Sequence, residues 1–408
     1  MKVRGCWGGT GECGSTTDGV ARYLDRLVAS GINQVFMGIK EGDGRLCWPS
    51  SVHPDAVKPE YEAFDLPMVL CEEGAKRGIA VHGWLIDYYE GEHSPAYTKH
   101  PEWAALDPNG RPSAECTLRG RRYDAVWMCP ARPNGYTDEW LVPIYRELAE
   151  RYPLASIHHD YIRYPGDLAP DTYCFCDYCL DAIPKFAGYI NEAYPSEPFH
   201  HELYDRPFLE SHWEQSPRVL PVQWERLPRH MKADFLLNGS FFGMGRQDLD
   251  YFFYLYRIHH INEFARKSAE AVRAVNPTTK LSGAIFKNPV HSGRFIGQDW
   301  RNFIPWMDIA VPMDYRDHFP GSFENYLALL KETIERQKIW AGPMDLWIGI
   351  AANFLFKEEH ESGVAIRKDK VAETLHAIDS TGVDGAVIFC SDQLSHFGLW
   401  DVVREAWS

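Results

Sequence analysis

The sequence predicts an α/β fold, a closed (β/α)8 TIM barrel that residues 1–408 build as a single unit. Eight short apolar segments alternate along the chain with segments of helical spacing. Most of these apolar segments lack polar alternation, which is typical of parallel strands covered on both faces. The length of 408 residues agrees with this fold, because barrels with insertions often reach that size as one domain.

The elements are predicted from the spacing of apolar residues. The first helix has Val20, Leu24 and Leu27 on one face and stops before Gly31. The predicted strands are Val3–Trp7, Ile32–Ile39, Ile79–Ile86, Ser156–Ile162, Leu281–Phe286, Asp308–Met313, Leu346–Ile350 and Gly385–Phe389. The predicted helices are Thr16–Ser30, Pro67–Arg77, Asp138–Tyr152, Tyr251–Val275, Trp300–Trp306, Phe323–Gln337 and Lys368–Ser380.

A doubly wound parallel sheet is the alternative fold. It requires a glycine-rich phosphate loop after the first strand, and the segment Gly8-Gly-Thr-Gly-Glu-Cys-Gly14 has glycines for one. No acidic residue ends the second strand in the position that binds a ribose, and eight strands favour closure. We therefore predict that this segment is a flexible loop at the barrel rim.

Two long insertions interrupt the alternation, Glu90–Met128 after the third strand and Gly166–Asp250 after the fourth. Both follow the carboxyl ends of barrel strands, the face on which such barrels carry their active sites. We predict that they form walls of a substrate cleft. Within the second insertion, residues 199–250 either cap the cleft or contact a neighbouring subunit, which leaves a homo-oligomer open.

Charge and hydropathy restrict the partners. The formal net charge is −15, which argues against nucleic acid and against an anionic membrane, because both bind clustered Lys and Arg. No window of eighteen apolar residues occurs, and the first residues lack the apolar core of a secretory signal. The sequence therefore predicts a cytoplasmic protein with a neutral or cationic substrate.

A cluster of cysteines predicts a metal site. Cys174, Cys176 and Cys179 have the spacing C-x-C-x2-C, and Cys129 is the predicted fourth ligand, with Cys116 as the alternative. Four thiolates suit tetrahedral zinc and leave no coordination position for water. The predicted zinc is therefore structural, and no organic cofactor is expected.

Aspartates lie at the ends of several predicted strands, Asp160 at the fourth, Asp314 at the sixth and Asp87 at the third. Glycosidic cleavage requires two carboxyl groups across the scissile bond, one ionised and one protonated. We predict Asp160 and Asp314 as the catalytic pair. Asp87 is the reserve candidate for either role.

The surroundings of the two aspartates suggest their roles. Alternation along the strand places Asp160 on the face that looks into the barrel mouth, and the nearby Arg163 would keep it ionised as a nucleophile. Asp314 has more apolar neighbours, which raise a carboxyl pKa toward the range of a general acid. Pairing of Asp314 with Arg316 or Arg301 is the alternative.

Aromatic and polar side chains near the strand ends are candidates for binding a carbohydrate. The chain has 14 Trp, 21 Tyr and 21 Phe, more than core packing usually needs, and flat aromatic rings stack on pyranose rings. The predicted substrate-binding residues are Trp7, Trp48, Trp84, Asp87, Tyr88, His158, Arg163, Lys287, Tyr315 and Asp392.

Three segments, His158–Pro165, Gly297–Trp300 and Asp308–Tyr315, resemble the family ten-like hypothetical glycoside hydrolases. The resemblance covers most of the chain. It implies a barrel, a carbohydrate-active enzyme and a position for Asp160 in the active site.

The cysteine arrangement is similar to the zinc cluster of some bacterial β-galactosidases, in which C-x-C-x2-C follows the fourth strand. The likeness does not extend to their catalytic residues. Those enzymes carry Asn-Glu at the end of the fourth strand, where this chain has His159-Asp160, and the fifth strand here ends in Lys287-Asn288 without a glutamate. An Asp at the fourth strand and another at the sixth are more similar to α-galactosidases, which favours an α-linked substrate.

The leading hypothesis is a retaining glycoside hydrolase acting on a small or medium oligosaccharide, with Asp160 as nucleophile and Asp314 as general acid/base. A metal-dependent amidohydrolase-like barrel with His158, His159 and Asp160 as ligands is one alternative. The first strand lacks the paired histidines that such a metal centre needs. A barrel that binds sugar without catalysis is the other alternative.

Overall fold

The computed structural model describes residues 1–118, 120–166, 173–193, 226–238 and 247–407. Eight parallel strands close into a barrel in which each strand pairs with its neighbours in chain order and the last pairs with the first. The strands are β1 (Val3–Gly8), β2 (Gln34–Lys40), β3 (Ala80–Ile86), β4 (Ser156–Asp160), β5 (Lys280–Phe286), β6 (Ile309–Met313), β7 (Asp345–Ala351) and β8 (Gly385–Phe389). This arrangement confirms the predicted (β/α)8 barrel.

Helices surround the barrel and fill its loops. The longer ones are Thr17–Ala29, Leu66–Arg77, Val142–Arg151, Asp177–Ala193, Arg229–Asn238, Gln247–Val275, Pro289–Ile296, Phe323–Ala341, Asp369–Asp379, Ser391–Phe397 and Trp400–Ala406. Shorter helical turns are Thr10–Cys13, Pro54–Ala56, Pro59–Tyr61, Pro95–Lys99, Pro101–Trp103, Ser113–Glu115, Tyr136–Leu141, Trp300–Phe303, Arg316–His318, Phe354–Phe356 and Lys357–Ser362. No helix of the described residues is both long enough and apolar enough to span a membrane.

The first helix shows how local sequence sets these elements. The Thr16 side chain accepts a hydrogen bond from the Gly19 backbone N–H, which caps the amino end. Val20 and Leu24 are fully buried, as their spacing predicts. The glycine-rich segment before this helix differs from its prediction, because Thr10–Cys13 forms a short helical turn where a flexible loop was expected.

Strand β4 ends two residues earlier than predicted, at Asp160 rather than Ile162. Tyr161 has a φ of 54°, a left-handed conformation that breaks the strand, and its backbone N–H donates to the Asp160 Oδ1 atom at 2.7 Å. The chain therefore turns away directly after Asp160. This turn leaves the Asp160 carboxyl at the rim of the barrel.

Polar side chains cross the inside of the barrel below the rim. The Trp7 indole Nε1–H donates to His158 Nε2 at 3.2 Å, and His158 Nδ1 bonds the Ser282 hydroxyl at 2.8 Å. Since an indole can only donate, His158 carries its proton on Nδ1. Burial lowers the pKa of His158 well below its usual value, so the ring is neutral. Trp7 and His158 are thus part of the barrel core, and their buried N–H groups all have hydrogen-bond partners.

The insertion after β3 contains two small antiparallel pairs, Tyr89–Gly91 with Ala125–Trp127 and Thr117–Leu118 with Arg121–Arg122. The first pair carries the chain back toward the barrel rim just before Cys129. Of the insertion after β4, the helix Asp177–Ala193 and the helix Arg229–Asn238 are described. Most of the segment 199–250, predicted to cap the cleft or contact a subunit, lies outside the described residues.

Candidate active site and cysteine cluster

A cavity of about 710 Å³ opens at the carboxyl ends of the barrel strands. Aromatic rings form much of its wall, namely Trp84, Tyr89, Tyr161, Phe286, Tyr315, Phe354 and Phe389. Three carboxyl groups among the described residues line it, those of Glu41, Asp160 and Asp317. A concave site with aromatic walls and a few polar groups is typical of a site for a small organic ligand.

Asp160 is held in this wall by two hydrogen bonds. Its Oδ2 atom accepts from the Trp84 indole N–H at 3.1 Å, and its Oδ1 atom accepts from the Tyr161 backbone N–H at 2.7 Å. Burial raises the pKa of Asp160 to about 6, although the positive charge of Arg163 and both hydrogen bonds act to lower it. The carboxyl is therefore poised to hold or release a proton near neutral pH.

Arg163 lies against aromatic rings at the same wall. Its guanidinium carbon is 4.3 Å from the centre of the Tyr161 ring, 5.1 Å from that of Trp127 and 5.3 Å from that of Phe286. One Nη atom contacts the Tyr164 carbonyl oxygen at 3.4 Å. Among the described residues, no carboxylate forms an ion pair with this guanidinium. The positive charge of Arg163 acts to lower the pKa of Asp160.

The other two cavity carboxylates differ in their partners. Glu41 pairs with Lys58, and its Oε1 atom accepts from the Thr10 hydroxyl at 2.7 Å. Asp317 is exposed, and its carboxylate has no hydrogen bond or ion pair within the described parts of the chain. Asp317 is thus the carboxylate that is most available to a ligand or to water.

Four of the predicted site residues line the cavity together, namely Trp84, Asp160, Arg163 and Tyr315. Lys287 lies in a second cavity directly beside the first. Asp392 is exposed and lies at the rim of the first cavity. Its carboxylate is next to Gly9, which lines that cavity: a Cβ atom added to Gly9 would lie 3.7 Å from the Asp392 Oδ2 atom.

The structure does not bring five other predicted substrate-binding residues to the cavity. Trp7, Trp48, Asp87, Tyr88 and His158 are all buried, with 1% or less of each exposed. The Trp48 indole donates to Glu147 at 3.1 Å, and the Tyr88 hydroxyl bonds that of Thr137 at 2.9 Å. Side chains without exposed surface cannot touch a sugar, so this placement makes them parts of the core.

Asp87, the reserve catalytic candidate, belongs to a buried network behind the barrel wall. Its Oδ2 atom accepts from His159 Nδ1 at 2.9 Å, and its Oδ1 atom accepts from the Tyr145 hydroxyl at 2.7 Å. Trp84 and Ile86 of β3 line the cavity, so alternation turns the following Asp87 to the opposite side. Asp87 therefore holds the buried Tyr145 and His159 side chains in place and does not contact the cavity.

Asp314, the predicted general acid/base, is fully buried and does not line the cavity. Its Oδ1 atom accepts from the Gln337 side-chain amide at 2.9 Å on the surrounding helix Phe323–Ala341. Burial raises the pKa of Asp314 to about 8, as its apolar surroundings predict. However, Met313 and Tyr315 line the cavity, so the side chain between them points outward. The predicted alternative partners, Arg316 and Arg301, pair with Glu358 and Asp299.

Sequence reasoning missed several cavity residues. Phe286 and Phe389 are the last residues of β5 and β8. Their position at strand ends was a signal that could have identified them. Asp317 follows β6 by four residues, and the sequence alone gives no periodicity that distinguishes it there.

The four cysteines predicted to bind metal meet in space. The Sγ atoms of Cys129, Cys174, Cys176 and Cys179 all lie within 4.8 Å of one another, and all four residues are buried. The Cys129 to Cys179 and Cys129 to Cys176 distances between Sγ atoms are 3.6 and 3.8 Å. Tetrahedral zinc with Zn–S bonds of about 2.3 Å requires sulfur atoms about 3.8 Å apart. The donor set therefore fits a metal ion of this kind.

Cys116, the alternative fourth ligand, does not join this cluster. Its Sγ atom lies 3.3 Å from the Tyr173 hydroxyl oxygen. The four-cysteine cluster is the one group of metal-binding type that the described residues form. It connects the residue that directly follows the insertion after β3, Cys129, with the insertion after β4.

Comparison with known proteins relates this chain to glycosidases. No protein-family model matches it. The curated protein "Glycosyl hydrolase DigH" of Escherichia coli strain K12 and of Shigella flexneri is 26% identical over 180 residues. The match covers 38% of this chain and 37% of that protein, so the chain spans little more than a third of these relatives. The resemblance to the family ten-like proteins therefore stays a prediction.

Solved structures with the same fold cover more of the chain. The glycoside hydrolase domain of PgaB (BpsB) from Bordetella bronchiseptica has a TM-score of 0.65 at 14% identity, over 100% of this chain and 99% of that domain. The β-galactosidase of Rahnella sp. R3 has a TM-score of 0.62 at 14% identity, over 100% of this chain and 57% of that one. At this level of identity the likeness shows the barrel fold.

Proposed function

We propose that this protein is a glycoside hydrolase that cleaves an O-glycosidic bond in the cavity at the carboxyl ends of its barrel strands. The observation that carries the proposal is Asp160, a carboxyl with a pKa near 6 in an aromatic cavity at the end of β4. Glycosidic cleavage requires such a group, because the departing oxygen must receive a proton. The DigH relative and the PgaB barrel, both named as glycoside hydrolases, support this activity.

We assign Asp160 the role of proton donor, in place of the nucleophile that the sequence predicts. A nucleophile works best with a low pKa, whereas burial raises the pKa of Asp160 to about 6, a value at which a carboxyl group can still donate a proton near neutral pH. The Trp84 indole and the Tyr161 N–H fix both oxygen atoms, which aims the carboxyl into the cavity. In a retaining mechanism, the same group would then remove a proton from water in the second step.

We propose Asp317 as the second carboxylate, in place of the buried Asp314. Asp317 lines the cavity and is exposed, so its side chain is accessible to a substrate. It follows the same strand, β6, from which the sequence predicts the partner of Asp160. With Asp317 as nucleophile the mechanism stays retaining. The preference for an α-linked substrate also stays a prediction.

The test is hydrolysis of a panel of α- and β-aryl glycosides by the wild-type protein, with proton NMR of the first product. We expect turnover of at least one sugar of the panel and retention of its anomeric configuration. Inversion would remove Asp317 from the nucleophile's role. Absence of turnover with every aryl glycoside and with oligosaccharides would contradict the proposed activity.

Arg163 controls the pH range of this reaction. Since kcat/KM requires protonated Asp160, it should fall as the pH rises through about 6. Arg163→Gln removes the charge that lowers the pKa of Asp160, so the descending limb should move to higher pH. Arg163→Lys keeps the charge and should leave the limb near its wild-type position. Measurement of kcat/KM from pH 4 to 9 decides, and an unshifted limb in Arg163→Gln would contradict the assignment.

We also propose that the four-cysteine cluster binds structural zinc. All four thiolates serve as ligands, so the ion has no open position for substrate or water. Its contribution is to fix the two insertions beside the cavity. Trp127, two residues before Cys129, packs on Arg163 at 5.1 Å and on Tyr161 at 5.6 Å.

The placement of the histidines argues against the amidohydrolase alternative. His158 points into the barrel toward Trp7, whereas His159 points outward to Asp87. Neighbouring residues of a strand face opposite sides, so these two rings and Asp160 do not converge on one ion.

A further inference from the structure

A second cavity of about 510 Å³ lies beside the candidate active site. It is formed largely by the residues that end β5 and by the helix Pro289–Ile296. The two cavities share Phe286 and His318 as a common wall. We propose that this second cavity is an additional sugar-binding subsite, so that one oligosaccharide chain occupies both cavities. The inference rests on the proposed glycosidase function and deepens it.

The common wall is a stack of aromatic rings. The Phe286 and His318 ring centres are 5.7 Å apart with planes 19° from parallel. The His318 and Tyr315 ring centres are 5.6 Å apart with planes 23° from parallel. Tyr315 faces the first cavity, and the other two rings border both. A sugar chain crossing this wall would therefore meet aromatic surface on both sides, which suits the apolar faces of sugar rings.

The helix that lines the second cavity presents another aromatic surface. Phe295 is 38% exposed, and its ring centre lies 4.2 Å from that of His291, one helical turn earlier. A single exposed ring on a protein surface needs no explanation, but this one lies inside a cavity that continues the candidate active site. Phe295 therefore has the position of a stacking residue.

The start of the helix keeps this surface in place. The Asn288 side-chain oxygen accepts hydrogen bonds from the backbone N–H groups of Val290 at 3.0 Å and His291 at 3.2 Å. Lys287 is held between the His318 carbonyl oxygen and the Phe319 ring, whose centre is 3.8 Å from Nζ. Lys287 and Asn288 both line the cavity, and each has N–H groups that can donate to sugar hydroxyls.

The sizes of the two cavities indicate the class of substrate. Volumes of about 510 and 710 Å³ each fall in the range of sites that enclose a small ligand. A substrate filling both is longer than a simple glycoside. We therefore assign the protein an oligosaccharide or polysaccharide substrate with several sugar units on the Phe286 side of the cleaved bond.

The test compares binding of sugar chains of increasing length. Three series of oligosaccharides with two to six sugar units, namely malto-, β-1,4-galacto- and chito-oligosaccharides, are titrated by calorimetry into Asp160→Asn. This variant should bind the sugar chains without cleaving them. One series should bind more tightly as it grows longer. Adding Phe295→Ala should weaken binding of the longest member roughly five- to tenfold, with a loss that grows with chain length.

Ile339→Ala is the matched control, because Ile339 is 80% exposed and belongs to neither cavity. It should leave every affinity unchanged. Equal affinities for all lengths, an equal loss for all lengths in Phe295→Ala, or no binding of any series would overturn the subsite. Failure of the proposed function would instead appear as absence of turnover by the wild-type protein, which this titration does not depend on.

Discussion

Replacement of Asp160 by Asn should lower kcat/KM for a glycoside with a poor leaving group roughly 10²- to 10⁴-fold, the usual contribution of a general acid. The amide keeps the shape of the carboxyl, and its one oxygen atom can accept from either the Trp84 indole or the Tyr161 N–H, but it cannot deliver a proton. The side chain is 8% exposed within a formed cavity, so the exchange should not disturb folding.

The leaving group distinguishes a proton donor from a nucleophile. The 2,4-dinitrophenolate leaving group departs without protonation, so Asp160→Asn should retain much of its kcat/KM on a 2,4-dinitrophenyl glycoside and lose it on the phenyl or methyl glycoside. If Asp160 were the nucleophile predicted from the sequence, the loss would be equally large for all three substrates. Parallel losses would therefore contradict the role proposed here.

Asp314→Asn is the matched control for this variant. Asp314 is a second aspartate with a raised pKa, of about 8, but it contacts Gln337 outside the cavity. Its replacement should leave kcat/KM within about threefold of the wild-type value, since buried polar changes away from a site act mainly on stability. A loss as large as that of Asp160→Asn would restore Asp314 as the acid/base predicted from the sequence.

Alternation along a strand decides which predicted residues reach the cavity. His158 and Asp160 of β4 face the inside of the barrel, and His159 between them faces Asp87. The rule was sufficient to predict that Asp160 faces the cavity at the barrel mouth. Applied at the end of β6, it places Met313 and Tyr315 in the cavity and turns Asp314 outward, which is what the structure shows. The end of a predicted strand indicates which residues lie near the barrel rim. Whether a residue is odd or even along the strand then determines whether its side chain faces the cavity or the surrounding helices.

Features that depend on loops were harder to predict. Trp48 and Asp317 both follow strands, yet Trp48 folds back onto Glu147 while Asp317 stays at the cavity. No periodicity exists in such segments, because their conformation depends on tertiary contacts. The identity of the fourth cysteine of the cluster, Cys129 rather than Cys116, also depends on tertiary contacts. It is determined by the pairing of Tyr89–Gly91 with Ala125–Trp127, which carries Cys129 back to the barrel.

Loss of one cluster cysteine should remove the metal and loosen the active-site wall. In Cys176→Ala, three thiolates remain, and we expect the purified variant to lack the one equivalent of zinc that we propose for the wild-type protein. Because metal binding energy contributes directly to the stability of the segments that supply the ligands, the melting temperature should fall by roughly 5 to 15 °C. The four cysteines are buried, so no other group replaces the missing ligand readily.

The same variant should raise KM, because the cluster holds the segment that supports Arg163. Cys129 follows Trp127 by two residues, and the Trp127 ring lies 5.1 Å from the Arg163 guanidinium carbon. Cys116→Ala makes the same chemical change at a cysteine outside the cluster and should keep zinc and KM at wild-type values. Metal analysis by mass spectrometry, thermal melts and KM together decide. A Cys176→Ala protein that retains one zinc per chain, or a wild-type protein that contains none, would contradict the zinc assignment, while a red iron-containing protein would identify the same thiolates as an iron site.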